Sequence, residues 1–303
     1  MAMIKNLEML LALAKEKHFG HAAERLGITQ PSLSSGIKQL EAQLGVKLVQ
    51  RGSRYGGLTP EGQRALVWAR QIVGDSRRLR DEMRSVREGL SGHLRLAVIP
   101  TALTWAARLT TEFAQAHPNV SFTVLSRAST EILDLLENLD ADAGISYLDN
   151  EPLGRVTSTP LYNEHFALVC RDDHPLAARS NVAWSELGGI ELSLLTPDMQ
   201  NRRILNRNFM EAGVEPHARI ESGSTIVLVA SVINGGRATI LPEDHARFLA
   251  KGHPLSVVPI EETHGAPAVG VIAPFQDTRT PVLTALFRVA GRIATHESAQ
   301  TTR

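Results

Sequence analysis

The chain has 303 residues, 43% hydrophobic but only 5% aromatic, enough for two or three compact units with mostly aliphatic cores. No apolar run is long enough to cross a bilayer, and the single Cys170 excludes an internal disulfide. Net charge is zero, which excludes a uniformly basic polyanion binder, yet residues 1–90 carry +6 and the remainder −6. Lys5, Asn6 and Glu8 break up the opening residues, so no leader is expected; a soluble, cytoplasmic protein in a reducing compartment is.

Leu7, Leu10, Leu11 and Ala14 repeat at helical spacing and predict a helix over about 4–17. A second, short helix carries Ala22, Ala23 and Leu26 and closes at Gly27. Thr29 is suited to cap a third, with Pro31 in its first turn, where the missing N–H costs nothing. Leu33, Ile37, Leu40 and Leu44 form its inward stripe and Gly45 stops it. The opposite face presents Ser32, Ser34, Ser35, Lys38 and Gln39. Short polar side chains at a helix start fit a DNA groove about 12 Å wide. They fit equally a three-helix bundle with a solvated face.

Val46, Leu48 and Val49 alternate as a short strand, and Arg51 and Arg54 follow on a glycine-rich hairpin. Two arginines there have the chemistry of a wing lying along phosphates, the alternative being an ordinary polar turn. Thr59 and Pro60 open a long helix running to about Leu90. Its residues Ala65, Ala69, Ile72, Ser76, Leu79, Met83, Val86 and Leu90 repeat every 3.5 positions. With no evident core of its own to lie on, this helix is expected to pair with a second copy of itself, or else to dock on the C-terminal part.

The stretch from His21 through Ala22, Ala23, Glu24, Arg25, Leu26, Gly27, Ile28, Thr29, Gln30, Pro31, Ser32 and Leu33 to Ser34 closely resembles the LysR-type transcriptional regulators. So do Ile37, Leu40, Glu41, Leu44, Gly45, Leu48, Arg51, Arg54 and the run Leu58–Thr59–Pro60–Glu61–Gly62. The resemblance implies an N-terminal, all-α winged helix-turn-helix, a long dimerising linker helix, and a C-terminal α/β effector domain of two lobes resembling periplasmic binding proteins. It implies that Gln30, Pro31, Ser34 and Arg54 approach DNA. Ser35 and Gly36 depart from it, standing where larger polar residues are frequent. The expected division is residues 1–58 for DNA binding, 59–90 for dimerisation and 91–303 for effector binding. Lobe I would hold about 91–161 and 268–303, and lobe II about 162–267.

In that second part, strand patterns over about 94–99, 122–125 and 143–147 alternate with helical ones, and the alternation recurs over 192–195, 218–221 and 239–241. Leu161–Cys170 and Ala268–Ile272 read as strands by which the chain crosses between lobes. Hydroxyl sites recur 29 residues apart in each half, Thr101 to Thr130 and Thr196 to Thr225, with Ser129 and Ser224 beside the later ones. Such positions are ordinary helix caps, but at the mouth of an α/β sheet they also offer donors to an anion. Arg202 joins them as a cation by family spacing, or makes a surface ion pair, and Tyr147 supplies an apolar side.

Enzymatic readings find little: there is no metal-binding His/Cys spacing, nucleophile elbow, P-loop or dinucleotide fingerprint. Cys170 sits in an apolar strand and reads as core, with redox sensing the alternative. The expectation is therefore not an enzyme, with no cofactor and no membrane partner. It is a sequence-specific DNA-binding regulator of promoter or operator DNA, acting as a homodimer or homotetramer. A small-molecule effector, a carboxylate or inorganic anion, would control it.

Overall fold

The computed structural model describes residues 2–50, 55–149, 152–262, 265–275 and 278–301. The chain divides into two compact units. One is Met1–Leu90 with Glu137–Asp140 and Arg279–Pro281; the other holds Ser91–Leu136, Ala141–Thr278 and Val282–Arg303.

The first unit is built from α1 (Ala2–Glu16), α2 (Phe19–Arg25), α3 (Gln30–Leu44) and α4 (Pro60–Glu88). His18, Thr29 and Thr59 cap α2, α3 and α4 through side-chain acceptors, and Gly45 ends α3 in the left-handed conformation at φ 72°. Leu10, Leu13, Ala22, Leu33, Leu40, Leu48, Leu66, Ala69 and Val73 share one core. That core corrects one expectation. The long helix does have apolar neighbours in its own unit, because Leu66, Ala69 and Val73 turn inward over its first half. Ala69 therefore leaves the predicted seam, and Leu90 lies beyond the helix end at Glu88.

The expected strand over Val46–Val49 reduces to a single antiparallel bridge, Val49 to Leu58, flanked by the Gln50 N–H bonding the Gly57 carbonyl. Gly62 admits no side chain, since a Cβ there would lie 2.0 Å from the Leu48 oxygen. The first turn of α4 thus presses directly on the base of the hairpin.

The second unit contains two five-stranded sheets of matching topology. The first is β2-β1-β3-β10-β4, from β1 (Gly92–Val98), β2 (Val120–Ser126), β3 (Ala143–Tyr147), β4 (Val156–Asn163) and β10 (Ala268–Pro274). The second is β7-β6-β8-β5-β9, from β5 (Phe166–Arg171), β6 (Glu191–Leu195), β7 (His217–Ser222), β8 (Ala238–Pro242) and β9 (Leu255–Pro259). In each sheet three strands run parallel, and the strand entering from the crossover is antiparallel to its neighbours. Helices α5 (Leu103–Ala116) and α6 (Ser129–Glu137) serve the first lobe; α7 (Gln200–Glu211), α8 (Thr225–Gly235) and α9 (Glu243–Ala250) serve the second. The final helix α10 (Pro281–Thr301) returns to the first lobe, where Arg292 pairs with Glu112 of α5.

The single crossing strand expected over Leu161–Cys170 is two strands, one in each sheet, parted at Glu164 and His165. The Glu164 N–H bonds the Pro267 carbonyl of the returning crossover, so the two segments run side by side.

Candidate DNA interface and effector cleft

On α3 the inward stripe of Leu33, Gly36, Ile37 and Leu40 leaves Gln30, Pro31, Ser32, Ser35 and Lys38 exposed, with Ser34 half-buried at the edge. All of these but Lys38 lie in the first two turns. The Ser32 hydroxyl hydrogen-bonds Thr29 Oγ1 at 2.9 Å, which ties it into the cap. Gly36 does not face outward with Ser35. A Cβ on it would lie 2.2 Å from Met9 Sδ of α1, so its smallness serves helix packing. Arg51 and Arg54 lie outside the described residues.

Sequence reasoning gave Glu41 no role of its own. Its buried carboxylate accepts the backbone N–H groups of Leu48 at 3.0 Å and Val49 at 3.4 Å, and Lys47 Nζ lies 3.2 Å away. Thr59 Oγ1 donates to the Lys47 carbonyl at 2.6 Å. The segment Lys47–Val49 is thus held between the third and fourth helices. An acid in a mostly polar face is the only sequence signal for this, and it is a weak one.

Along α4 the exposed apolar stripe is Val67, Trp68, Ile72, Leu79 and Met83, with Trp68 at 64% and Leu79 at 60% exposure. It overlaps the predicted seam at Ile72, Leu79 and Met83.

In the second unit the repeated hydroxyls lie near strand ends and helix starts in both lobes, though not at matching positions. Thr101 follows β1 and Thr196 follows β6; Ser129 and Thr130 open α6, and Ser224 and Thr225 open α8. Thr101 is 1% exposed, and its Oγ1 lies near the Tyr147 phenol without making a hydrogen bond. Ser129 is buried and Thr130 exposed. Ser224 is the N-cap of α8 yet makes no side-chain capping bond, while the Thr225 hydroxyl shares a 3.0 Å hydrogen bond with buried His245. Burial lowers the His245 pKa to about 4.

Arg202 takes the ion-pair alternative. Its guanidinium contacts Glu221 Oε1 at 2.7 Å and the Leu195 carbonyl at 2.8 Å, and its Nε donates to Asn206 at 2.9 Å. Tyr147 is committed too, donating its hydroxyl to buried Glu164. Asn201 Nδ2, on α7 of the second lobe, donates to the Tyr147 oxygen at 3.1 Å and to Glu164 Oε1 at 3.2 Å. Tyr162 donates to Glu164 Oε2 at 3.4 Å. Gln200 Nε2 donates across to the Asp149 carbonyl at 3.2 Å. This buried cluster joins the two lobes, and neither Glu164 nor Asn201 was picked out by sequence, because their meeting depends on the crossover.

These features define a two-unit protein, a helix-turn-helix with an extended fourth helix followed by a two-lobed α/β domain. The family model described as "Bacterial regulatory helix-turn-helix protein, lysR family" matches residues 4–63, and "LysR substrate binding domain" matches residues 87–293. The chain belongs to the LysR family of DNA-binding transcriptional regulators with an effector-binding domain. An uncharacterized HTH-type transcriptional regulator of Escherichia coli, YbhD, is 31% identical over 69% of this chain and 66% of its own length, just under two thirds of it. The HTH-type regulator XapR of the same organism is 29% identical, covering 81% of this chain and 84% of its own. A full-length OxyR variant from Pseudomonas aeruginosa shares the fold at a TM-score of 0.74 and 24% identity, covering 97% of this chain and all of its own. CbnR complexed with its target DNA does so at 0.63 and 21%, covering 96% and 99%. Among the described residues no helix is long and apolar enough to cross a membrane.

Proposed function

We propose that this protein reads a specific operator as a homodimer or higher homo-oligomer, and that a small molecule held between the two lobes controls it. Residues 1–58 make the DNA contacts, 59–90 the dimer helix and 91–303 the effector domain, with lobes of about 91–161 plus 268–303 and 162–267. The observation that carries the reading is the exposed start of α3: Gln30, Pro31, Ser32 and Ser35 face outward while Leu33, Ile37 and Leu40 anchor the helix from beneath. A helix so mounted can enter a major groove with short donors and acceptors foremost. The exposed stripe of Trp68, Ile72, Leu79 and Met83 supports pairing of two chains, since apolar side chains at that spacing on a helix about 44 Å long need a partner.

The effector is a compact carboxylate or inorganic anion. Support comes from the unbonded hydroxyl of Thr101, the uncommitted cap of Ser224, and the openings of α6 and α8 by Ser129, Thr130 and Thr225, with Thr196 at the opening before α7. Arg202 is no part of this site, because Glu221 neutralises it. The test is binding of the full chain to duplex DNA from upstream of its own gene, with and without each anion of a metabolite panel. Retention on that duplex, shifted by one anion and no longer shifted in Thr101→Val, is the expected result. A chain that ignores the duplex, or whose best effector is uncharged, contradicts the corresponding half of the proposal.

A further inference from the structure

Glu164 is 1% exposed where the chain passes from one lobe to the other. Among the described residues the hydrogen bonds to its carboxylate come from neutral donors: Tyr147 of β3, Tyr162 of β4 and Asn201 of α7. Tyr147 links it to the anion site. Its phenol donates to Glu164, accepts from Asn201 Nδ2 at 3.1 Å, and lies near Thr101 Oγ1, a buried hydroxyl with no hydrogen-bond partner. The charged groups in the neighbourhood are Asp149, His165, Arg207, Glu261 and Glu262, which line a cavity of about 210 Å³ that Glu164 also borders. His165 is 3.4 Å from Glu262 and Arg207 donates to Glu211 at 3.0 Å, so neither basic group serves Glu164. Asp244 of α9 bears on Tyr162.

The direction of the phenol hydrogen depends on the proton count of Glu164. An ionised carboxylate only accepts, so Tyr147 points its O–H at Glu164 and has none to give elsewhere. A protonated Glu164 has an O–H of its own, which can donate to the phenol oxygen and release the Tyr147 hydrogen toward Thr101. Thr101 then accepts from Tyr147 and is left to donate to a bound anion. Charge acts in the same sense, since an anion at Thr101 and an ionised Glu164 are like charges in a dry surrounding. A buried carboxylate without a countercharge is costly already, and its pKa rises to about 7, so near neutrality both forms are accessible.

We propose that Glu164 takes up one proton from solvent when an anion binds at Thr101, which ties effector binding to pH. This rests on the anion reading given above. Glu164 is here a positioning residue, acting on the anion through Tyr147 and Thr101 without touching it. Affinity is full below pH 7 and declines as pH rises through it.

Calorimetry of the full chain with sulfate and with acetate, whose charges are constant between pH 6 and 8, tests this. Affinity is expected to fall about tenfold from pH 6 to pH 8, as it must for a group of pKa about 7 that is protonated in the complex. At pH 8 the heats in imidazole and in Tris buffer are expected to differ by the amount that uptake of nearly one proton per anion requires. Glu164→Gln puts an amide N–H where the protonated acid has its O–H and keeps an acceptor for Tyr162. It is expected to bind at pH 8 as the parent does at pH 6, with no proton uptake. The two-buffer measurement needs the parent alone and decides the matter should Glu164→Gln fail to fold. Thr101→Val is expected to abolish binding, which ties the heat to this site. Equal parent affinity at the two pH values, no proton uptake, or a pH dependence that survives Glu164→Gln overturns the proposal and leaves the anion reading standing. Absence of binding at both pH values, or binding that Thr101→Val leaves intact, overturns both.

Discussion

Glu41 reaches from α3 to Leu48, whose backbone N–H its Oε1 accepts at 3.0 Å inside the core of the first unit. One buried side chain therefore fixes the Leu48–Val49 segment relative to the helix proposed to read bases. Glu41→Ala would leave the Leu48 and Val49 N–H groups without this acceptor, at a cost of roughly 2–4 kcal/mol. Thermal unfolding should show that loss. Glu41→Gln, which retains an acceptor, should recover at least half of it; equal losses for the two variants would mean that the hydrogen bonds are not what matters.

The exposed α4 stripe leads to a second expectation. Leu79→Asp places a carboxylate in the middle of the proposed seam, where it is disfavoured if buried without a partner. Because Leu79 is 60% exposed within one chain, the fold of that chain should tolerate the change. Sedimentation should then give a folded monomer at concentrations where the parent is dimeric or larger. An unchanged species would place the pairing surface elsewhere.

Titration of Glu164 gives a signed pH dependence. Its folded pKa is raised from 4.5 to about 7, so the folded state holds the proton more tightly than the unfolded chain. Its contribution is therefore most favourable at acid pH and is lost as pH rises through 7. Relative to Glu164→Gln, the parent should lose roughly 3 kcal/mol of stability between pH 4.5 and 8. His245 works in the opposite sense: its lowered pKa gives stability that is lost as pH falls from 6.5 through 4. Comparing parent and Glu164→Gln at each pH removes the His245 contribution. A constant difference across the range would contradict the burial of an ionisable Glu164.

Redox sensing is the alternative to a core role for Cys170. Thiol-based sensing needs an accessible thiolate. Here the single cysteine, Cys170, is fully buried in β5, and burial with Asp172 and Asp173 nearby pushes its pKa up to about 11. Mass spectrometry after millimolar peroxide should find Cys170 unmodified in the folded chain, with DNA binding unaltered. Rapid sulfenic acid formation at Cys170 would reverse this conclusion.

What could be read from the amino acids divides along a physical line. Local signals were sufficient for the DNA unit: the Thr29 cap, Pro31 and Gly45 mark α3 to within a residue, and the inward leucines fix its exposed face. They also placed β3, and the strand–helix alternation that recurs in the second half agrees with two sheets of one topology. Long-range partners were hidden. Ala69 suits a heptad seam and its own core equally well, and only packing decides between them. Glu221, which neutralises Arg202, and Glu164, which holds Tyr147, lie 19 and 17 residues from their partners, on separate elements. The short α9 has no side-chain cap, and Pro242 with the acidic Glu243 and Asp244 was all that marked its start.

The outward face of α3 is proposed to select a DNA sequence for a two-fold symmetric protein. Selection of bound duplexes from a random pool by the full-length chain tests it directly. The parent should enrich two related half-sites with their centres about one helical turn, or a multiple of it, apart. A triple variant, Gln30→Ala, Ser35→Ala and Lys38→Ala, should lose or change the bases preferred within each half-site. A parent that enriches no motif, or a triple variant that enriches the same motif, would mean that the face of α3 does not select the bases.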